Sequence, residues 1–200
     1  MESRIKAIFS TYCNTVKPLL ADIQYRKGGD KLPDNFLNEI RALNDHIARC
    51  YREGISDREI VAELTKAEGH LRRLIYDCFK QLNIYIFDTL YRKEQRFYSD
   101  LWLTHDNGEF WKEYSKSRKY AQKNVIIAKK NESVEPDKAM QFYEKAFQEY
   151  RRAEDLLLTN KGLMWRSRLY KYWTKAGHFS SWFLITFVIS LIAALIGIFL

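Results

Sequence analysis

The sequence is poor in the residues that interrupt regular structure. Its 200 residues include only 8 glycines and 3 prolines, which favours a few long helices over many short strands. Hydrophobic residues make up 46% of the chain and aromatic residues 15%, which excludes a disordered protein. A chain of this length can form one domain with a core, together with an additional segment.

Cysteine is also scarce, and its placement excludes two classes of small protein. Cys13, Cys50 and Cys78 are far apart, and no CxxC motif occurs. An odd, scattered set argues against a disulfide framework and against a zinc site, and it favours a reducing compartment. All three cysteines fall on apolar faces of predicted helices, so we expect them to be small core residues.

Common motifs of catalysis and cofactor binding are missing as well. The sequence has no GxSxG motif and no glycine-rich phosphate loop, and Gly28 and Gly29 are predicted to lie in a flexible loop. None of the four histidines has metal-ligand spacing. We therefore predict neither a metal nor a cofactor.

Apolar residues recur at helical spacing along residues 1–160, which predicts an all-α bundle. The first helix is predicted over residues 2–23, with a bend at Pro18. A second is expected to be capped by Asp34 or Asn35. Ser56 and Glu59 form a capping box for a third helix, which continues to about residue 103 and leaves a break near residue 83 open. After a turn at residues 104–109, two more helices are predicted over residues 110–130 and 136–157.

The one long uncharged run is residues 179–200. These 22 residues would extend about 33 Å as a helix, against about 30 Å of hydrocarbon in a bilayer. The alternative is a buried core helix, but core helices rarely run this long without a polar face. The pattern predicts a transmembrane helix that follows a helical domain, residues 1–160, and a linking segment, residues 161–178.

The linking segment combines positive charge with aromatic side chains. The net charge of the chain is +8, and five cations without a neighbouring acid lie here. Each adds about 1 kcal/mol of attraction to an anionic leaflet, and the positive-inside rule then places residues 1–178 in the cytoplasm. The alternative is a nucleic-acid patch. The predicted anchoring residues are Lys161, Arg166, Arg168, Lys171, Trp173, Lys175 and Trp182.

Small and hydroxyl residues form a stripe along the predicted span. Such a stripe lets helices approach closely, so we expect copies of the chain to pack along it or to turn it toward a pore. The alternative is that any span tolerates these residues. The stripe consists of Thr186, Ser190, Ala193, Ala194 and Gly197.

One polar pair has the residue types that cut RNA without a metal. Histidine can accept a proton from a 2′-hydroxyl, and arginine can hold the phosphate as charge develops. Arg41 and His46 lie five positions apart, which on a regular helix separates them by about 140°. The alternative is an ordinary surface pair between Arg41 and Asp45. His70 is expected on the solvated face of the next helix, and a polar cluster shared with His46 is the other interpretation.

The segment with Arg41, Asn44, Asp45 and His46 matches the Arg-x4–6-His pattern and resembles the HEPN superfamily (higher eukaryotes and prokaryotes nucleotide-binding). With its paired helices, terminal span and basic composition, the chain is similar in plan to the small membrane accessory proteins of type VI-B CRISPR systems. The resemblance implies a HEPN-like helical bundle and a homo-oligomer able to form a pore in the bacterial inner membrane. It also implies an antiviral role beside an RNA-guided, RNA-cutting effector.

Two other functions stay open. One is a membrane-tethered HEPN ribonuclease that uses Arg41 and His46. However, Ala42 stands where active HEPN nucleases often have a polar residue, so we expect the pair to serve assembly or gating more than catalysis. The other is a tail-anchored scaffold that docks a cytosolic partner through the helix over residues 136–157.

Overall fold

The computed structural model describes the backbone of residues 1–29 and 31–199. Asp30, Leu200 and the side chains of residues 175–181, 184 and 191–199 lie outside the described residues. The protein is all-α, as predicted. Its helices are α1 (Glu2–Thr11), α2 (Lys17–Arg26), α3 (Asp34–Arg49), α4 (Asp57–Phe97), α5 (Asp100–Thr104), α6 (Glu109–Asn131), α7 (Pro136–Thr159) and α8 (Lys161–Phe199).

α1 and α2 join through a π-helical turn, Tyr12–Val16, just before Pro18. Proline has no N–H to donate to the carbonyl four residues back, and its ring crowds that carbonyl. In the wider turn the Lys17 N–H instead reaches the carbonyl of Tyr12, five residues back. The sequence predicts a bend at Pro18, and the structure has a π-turn just before it, which is an irregularity by which a helix accommodates a proline.

α4 begins where its capping box predicts. The Ser56 Oγ accepts a hydrogen bond from the Glu59 N–H, and the Glu59 carboxylate accepts one from the Ser56 N–H at 2.9 Å. The predicted cap of α3 is wrong, because α3 begins after Pro33 without a side-chain cap and Asp34 is already its first helical residue. A proline before the first turn still sets the extended backbone from which a helix can start.

α4 runs without a break for 41 residues, so the break left open near Asn83 does not occur. The Asn83 side chain is buried and donates a hydrogen bond to the Tyr143 carbonyl of α7 at 2.8 Å. The helix ends at Phe97, earlier than predicted, because Tyr98 and Ser99 adopt extended backbone before α5. The predicted turn follows, with left-handed backbone at Asp106, Asn107 and Gly108, residue types that tolerate it.

Two clusters of buried side chains share α4. The first joins α1, α2 and α3 to the stretch from Leu64 to Leu82, and the second joins Ile86 and Leu90 to α5, α6, α7 and Leu163 of α8. Because α4 contributes to both clusters, the described helices α1 to α7 and the first turns of α8 pack together.

The cysteines divide between core and surface. Cys50 and Cys78 are buried, as predicted, but Cys13 is exposed, so its assignment to the core is wrong. Cys13 lies in the π-turn, where the wider spacing changes which side chains face inward.

α8 starts directly after a single turn residue, Asn160, and its first turns pack against the bundle. Leu163 and Ser167 are buried, and the Lys171 ammonium donates to the Gln95 carbonyl of α4 at 3.3 Å. Across the part of the chain that the structure describes, no helix combines the length and the apolar character that crossing a membrane requires. Much of the predicted span, the side chains of residues 179–181, 184 and 191–200, lies outside the described residues.

Candidate functional site

Two histidine–carboxylate pairs lie side by side between α3 and α4. His46 of α3 places Nδ1 2.7 Å from Glu63 of α4, and His70 of α4 places Nδ1 2.7 Å from Glu39 of α3. The two imidazole rings stack, with centroids 5.1 Å apart and planes inclined by 23°. Because α3 and α4 are antiparallel, each helix supplies one histidine and one carboxylate. We call these four residues the histidine cluster.

Cations surround the carboxylates of the histidine cluster. The Lys66 ammonium lies 2.7 Å from one Glu63 oxygen, and the Arg49 guanidinium lies 3.8 Å from the other. The hydrogen bond from Lys66, followed by that from His46, lowers the pKa of Glu63 to about 2. Glu63 is therefore ionised throughout the neutral pH range. Its carboxylate can then accept a hydrogen bond from a histidine nitrogen that carries a proton.

The geometry fixes which histidine nitrogens carry protons. The side chains of His46 and His70 are only 14% and 17% exposed, and a carboxylate at 2.7 Å requires a proton on the facing Nδ1. This leaves Nε2 of His46 as the nitrogen able to accept a proton. The Arg73 guanidinium lies 3.0 Å from the His70 Nδ1 and 3.5 Å from the Glu39 carboxylate, so it adjoins both members of that pair.

Asp77 is a further carboxylate of α4 and lies two helical turns beyond His70. Burial, followed by the charge of Glu39, raises its pKa above the usual value. The carboxylates on this face therefore differ in proton affinity: Glu63 is held ionised by its cations, and Asp77 binds a proton more readily than a free aspartate.

Arg41 lies outside the histidine cluster. Its side chain is exposed, and among the described residues it forms no hydrogen bond or ion pair, either with His46 or with Asp45. Asn44 and Asp45 are exposed as well. The rotation of about 140° over five helical residues explains the separation. Within one chain, the structure therefore places the predicted proton acceptor and the predicted phosphate-holding cation on different faces of α3.

The prediction of a solvated face for His70 is wrong, and the polar cluster shared with His46 is what the structure contains. Sequence analysis also missed Glu39 and Lys66 as partners. One signal could have found Glu39: positions 46 and 63, and positions 39 and 70, share one midpoint, between Gly54 and Ile55 in the loop that joins α3 to α4. An antiparallel helical hairpin brings such positions opposite each other.

The histidine cluster can orient an imidazole for proton transfer, since a carboxylate on Nδ1 fixes the tautomer and leaves Nε2 available. Its neighbouring cations, Lys66 and Arg73, are engaged by carboxylates. Among the residues whose side chains are described, no group of three or more histidine, cysteine, aspartate or glutamate side chains is placed to hold a metal ion. The geometry supports a role in joining α3 to α4 better than it supports a nuclease centre.

The predicted anchoring residues occupy α8. Lys161 and Arg166 are exposed, the Arg168 guanidinium lies 5.9 Å from the centre of the Tyr172 ring, and Lys171 bonds to α4. Trp173 and Trp182 are 75% and 65% exposed, and the Lys175 side chain lies outside the described residues.

Four exposed side chains of α8 share one face: Trp165, Leu169, Tyr172 and Trp173. Their spacing of four, seven and eight residues from the first is that of a helical stripe. The buried Leu163 and Ser167 hold the helix to the bundle by another face. The aromatic stripe is therefore presented outward, beside the cations.

In the predicted packing stripe, the described hydroxyls bond within α8. Thr186 donates to the Trp182 carbonyl at 2.5 Å, and Ser190 donates to the Thr186 carbonyl at 2.8 Å. Bonds of this kind satisfy a hydroxyl in an apolar environment without a partner helix. The side chains of Ala193 and Ala194 lie outside the described residues, and of Gly197 only the helical backbone is described.

Comparison of the chain with protein-family models, with curated proteins and with solved structures finds no match.

Proposed function

We propose that this chain is a membrane-anchored accessory protein of antiviral defence that self-associates, forms a pore-like assembly in the bacterial inner membrane and enhances an RNA-guided, RNA-cutting effector. The observation that supports this most is the continuity of α8. One helix of 39 residues runs from a base packed on the bundle, through a segment of cations and exposed aromatic side chains, into the uncharged run of the sequence.

Membrane anchoring is supported by the side chains that α8 leaves uncovered. Six large apolar side chains between Trp182 and Ile189 are each more than half exposed. A water-soluble protein rarely exposes so large an apolar surface. The neighbouring cations and tryptophans have the composition of a membrane interface, so lipid is the proposed environment of residues 179–200.

Self-association is supported by the small residues of the same segment. Ala193 and Gly197 form a small-xxx-small pair, which allows close approach of helices in lipid. The same proposal includes the resemblance of the segment around Arg41 and His46 to the HEPN superfamily, in which two protomers meet at a shared cleft. In this proposal the histidine cluster holds α3, which carries the Arg-x4-His motif, against α4, and the exposed Arg41 is available to a second copy.

The test of this proposal measures oligomer size and membrane potential together. Gly197→Leu and Ala193→Leu, in the full chain, should reduce the oligomer seen by native mass spectrometry in lipid nanodiscs. The same variants should abolish depolarisation in cells that express the chain with the effector. Ile192→Leu is the matched control because it keeps a large side chain, and it should behave as wild type. A strictly monomeric wild-type chain would overturn the proposal.

The ribonuclease alternative is favoured by one observation, the carboxylate-oriented imidazole of His46. Arg41→Ala separates the two functions, because Arg41 is exposed and unpaired among the described residues and its loss should leave the fold intact. If Arg41→Ala abolishes RNA loss while oligomer size and depolarisation persist, the chain is a nuclease. We expect RNA levels to be the same in wild type and variant.

A further inference from the structure

A cavity of about 560 Å³ opens between α4, α6 and α7, on helix faces away from the histidine cluster. Its walls are mostly apolar, and Ile84, Phe87, Val125 and Ile126 contribute to them. Its volume falls within the range of about 300–1,000 Å³ that is usual for small-molecule sites. Among the described side chains, those that line it belong to α4, α6 and α7, and Arg41 is not one of them.

The cavity contains a buried hydrogen-bond acceptor without a donor. Asn83 lines the cavity and is 3% exposed, and its Oδ1 has no hydrogen-bond partner. The amide orientation is fixed, because the side-chain nitrogen donates to the Tyr143 carbonyl at 2.8 Å and so faces α7. Buried amide oxygens are nearly always paired in folded proteins. The unpaired oxygen therefore points to a donor that a ligand would bring.

A second polar group lines the same cavity. The Tyr150 side chain is 2% exposed, and in the described part of the chain its hydroxyl makes no hydrogen bond. Burial raises the pKa of Tyr150 to about 12, so the phenol stays neutral and can donate. The residues that line the cavity thus include both a hydrogen-bond acceptor and a donor among apolar side chains.

Positive charge lies on the cavity lining. Lys129 is exposed and has no ion pair among the described residues, whereas Lys80 pairs with Glu132 at 3.0 Å. A free ammonium beside an apolar opening attracts an anionic group that remains in contact with water. The outer end of a bound molecule would therefore be an acid.

We propose that this cavity binds a small aromatic acid that carries an N–H or O–H donor at the end opposite its acid group. The donor pairs with the Asn83 Oδ1, the ring lies against Phe87 and the aliphatic wall, and the acid meets Lys129. A fatty acid has the acid and the apolar body but would place a methyl group against Asn83, leaving that oxygen unpaired. The requirement for an inner donor distinguishes the two ligand classes.

The experiment uses a pair of probes that differ at one atom. Indole-3-acetate has an N–H donor and a carboxylate on opposite sides of its five-membered ring, and 1-benzofuran-3-acetate replaces the N–H by an oxygen. Both are titrated calorimetrically into the full chain in lipid nanodiscs, with empty nanodiscs as reference. We expect saturable binding of the indole at one site per chain and at least about tenfold weaker binding of the benzofuran, because the latter leaves a buried acceptor unpaired.

Surface variants locate the binding without disturbing the fold. Lys129→Met should weaken indole-3-acetate binding about fivefold, the upper range for an exposed charge pair. Lys130→Met, the adjacent exposed lysine that does not line the cavity, should leave binding unchanged. Three results would each overturn the proposal. The first is equal affinity for the two probes, and the second is an equal effect of the two variants. The third is no saturable binding, which is expected if a second copy fills the cavity.

Discussion

The ion pair between Arg26 and Glu154 ties the first helices to α7 across 128 positions of sequence. Its two parallel hydrogen bonds measure 3.0 and 2.7 Å, and the two side chains are only 9% and 10% exposed. Glu154→Ala would leave the Arg26 guanidinium buried without its main partner, a change that costs about 3–5 kcal/mol of unfolding free energy. Asp22 remains 2.9 Å from Arg26, so we expect the unfolding free energy to fall by about 3 kcal/mol.

The assay is guanidinium unfolding of the full chain in nanodiscs, followed by tryptophan fluorescence. Glu113→Ala is the matched control, because Glu113 and its partner Arg152 are 40% and 56% exposed and such pairs contribute less than about 1 kcal/mol. Removing both charges with Arg26→Met and Glu154→Leu should restore most of the stability, since no buried charge is then left unpaired. If Glu154→Ala costs no more than the control, the pair does not hold α2 to α7.

Three further outcomes are expected. The pKa of Glu63 is about 2 in the folded protein, below its unfolded value of about 4.3. The Glu63 carboxylate therefore contributes fully to stability at pH values above its unfolded pKa, and this contribution disappears as pH falls through its folded pKa. Glu63→Gln should flatten the acid limb of a stability–pH curve. Leu90→Ala, at a fully buried position, should lower the unfolding free energy by about 2–5 kcal/mol in the same denaturation assay. Maleimide should label Cys13 rapidly in the native state and reach Cys50 and Cys78 only on unfolding, as mass spectrometry would show; burial, which raises the pKa of Cys78 to about 12, keeps that thiol protonated. Rapid native labelling of Cys78 would contradict its place in the core.

Capping boxes, turn residues and prolines predicted several helix boundaries well, because each of these signals depends on only a few neighbouring residues. The capping box at Ser56, the turn with Asp106 and Asn107, and the start of α7 at Pro136 all lie where the sequence places them. The end of α4 was harder to predict, since apolar residues continue past Phe97. What ends the helix is extended backbone at Tyr98 and Ser99, in a segment packed around the buried Trp102.

The candidate sites depend on contacts between helices, which periodicity does not determine. His70 has the polar neighbours of a solvated face in its own helix, and only the register of α3 against α4 brings it to Glu39 and His46. Arg41 and His46 share a motif in sequence, but the helical turn separates them. The unpaired oxygen of Asn83 likewise has no signal in the sequence, because it results from packing between α4 and α7.

The uninterrupted course of α4 has a mechanical consequence. About 38 Å of helix separates His70, in the histidine cluster, from Gln95, whose carbonyl accepts a hydrogen bond from Lys171. An α-helix resists bending because every turn is held by its own backbone hydrogen bonds, so it transmits a tilt as a lever does. A small reorientation of α4 at the histidine cluster would thus move the base of α8 through a larger displacement and change the angle at which α8 leaves the bundle.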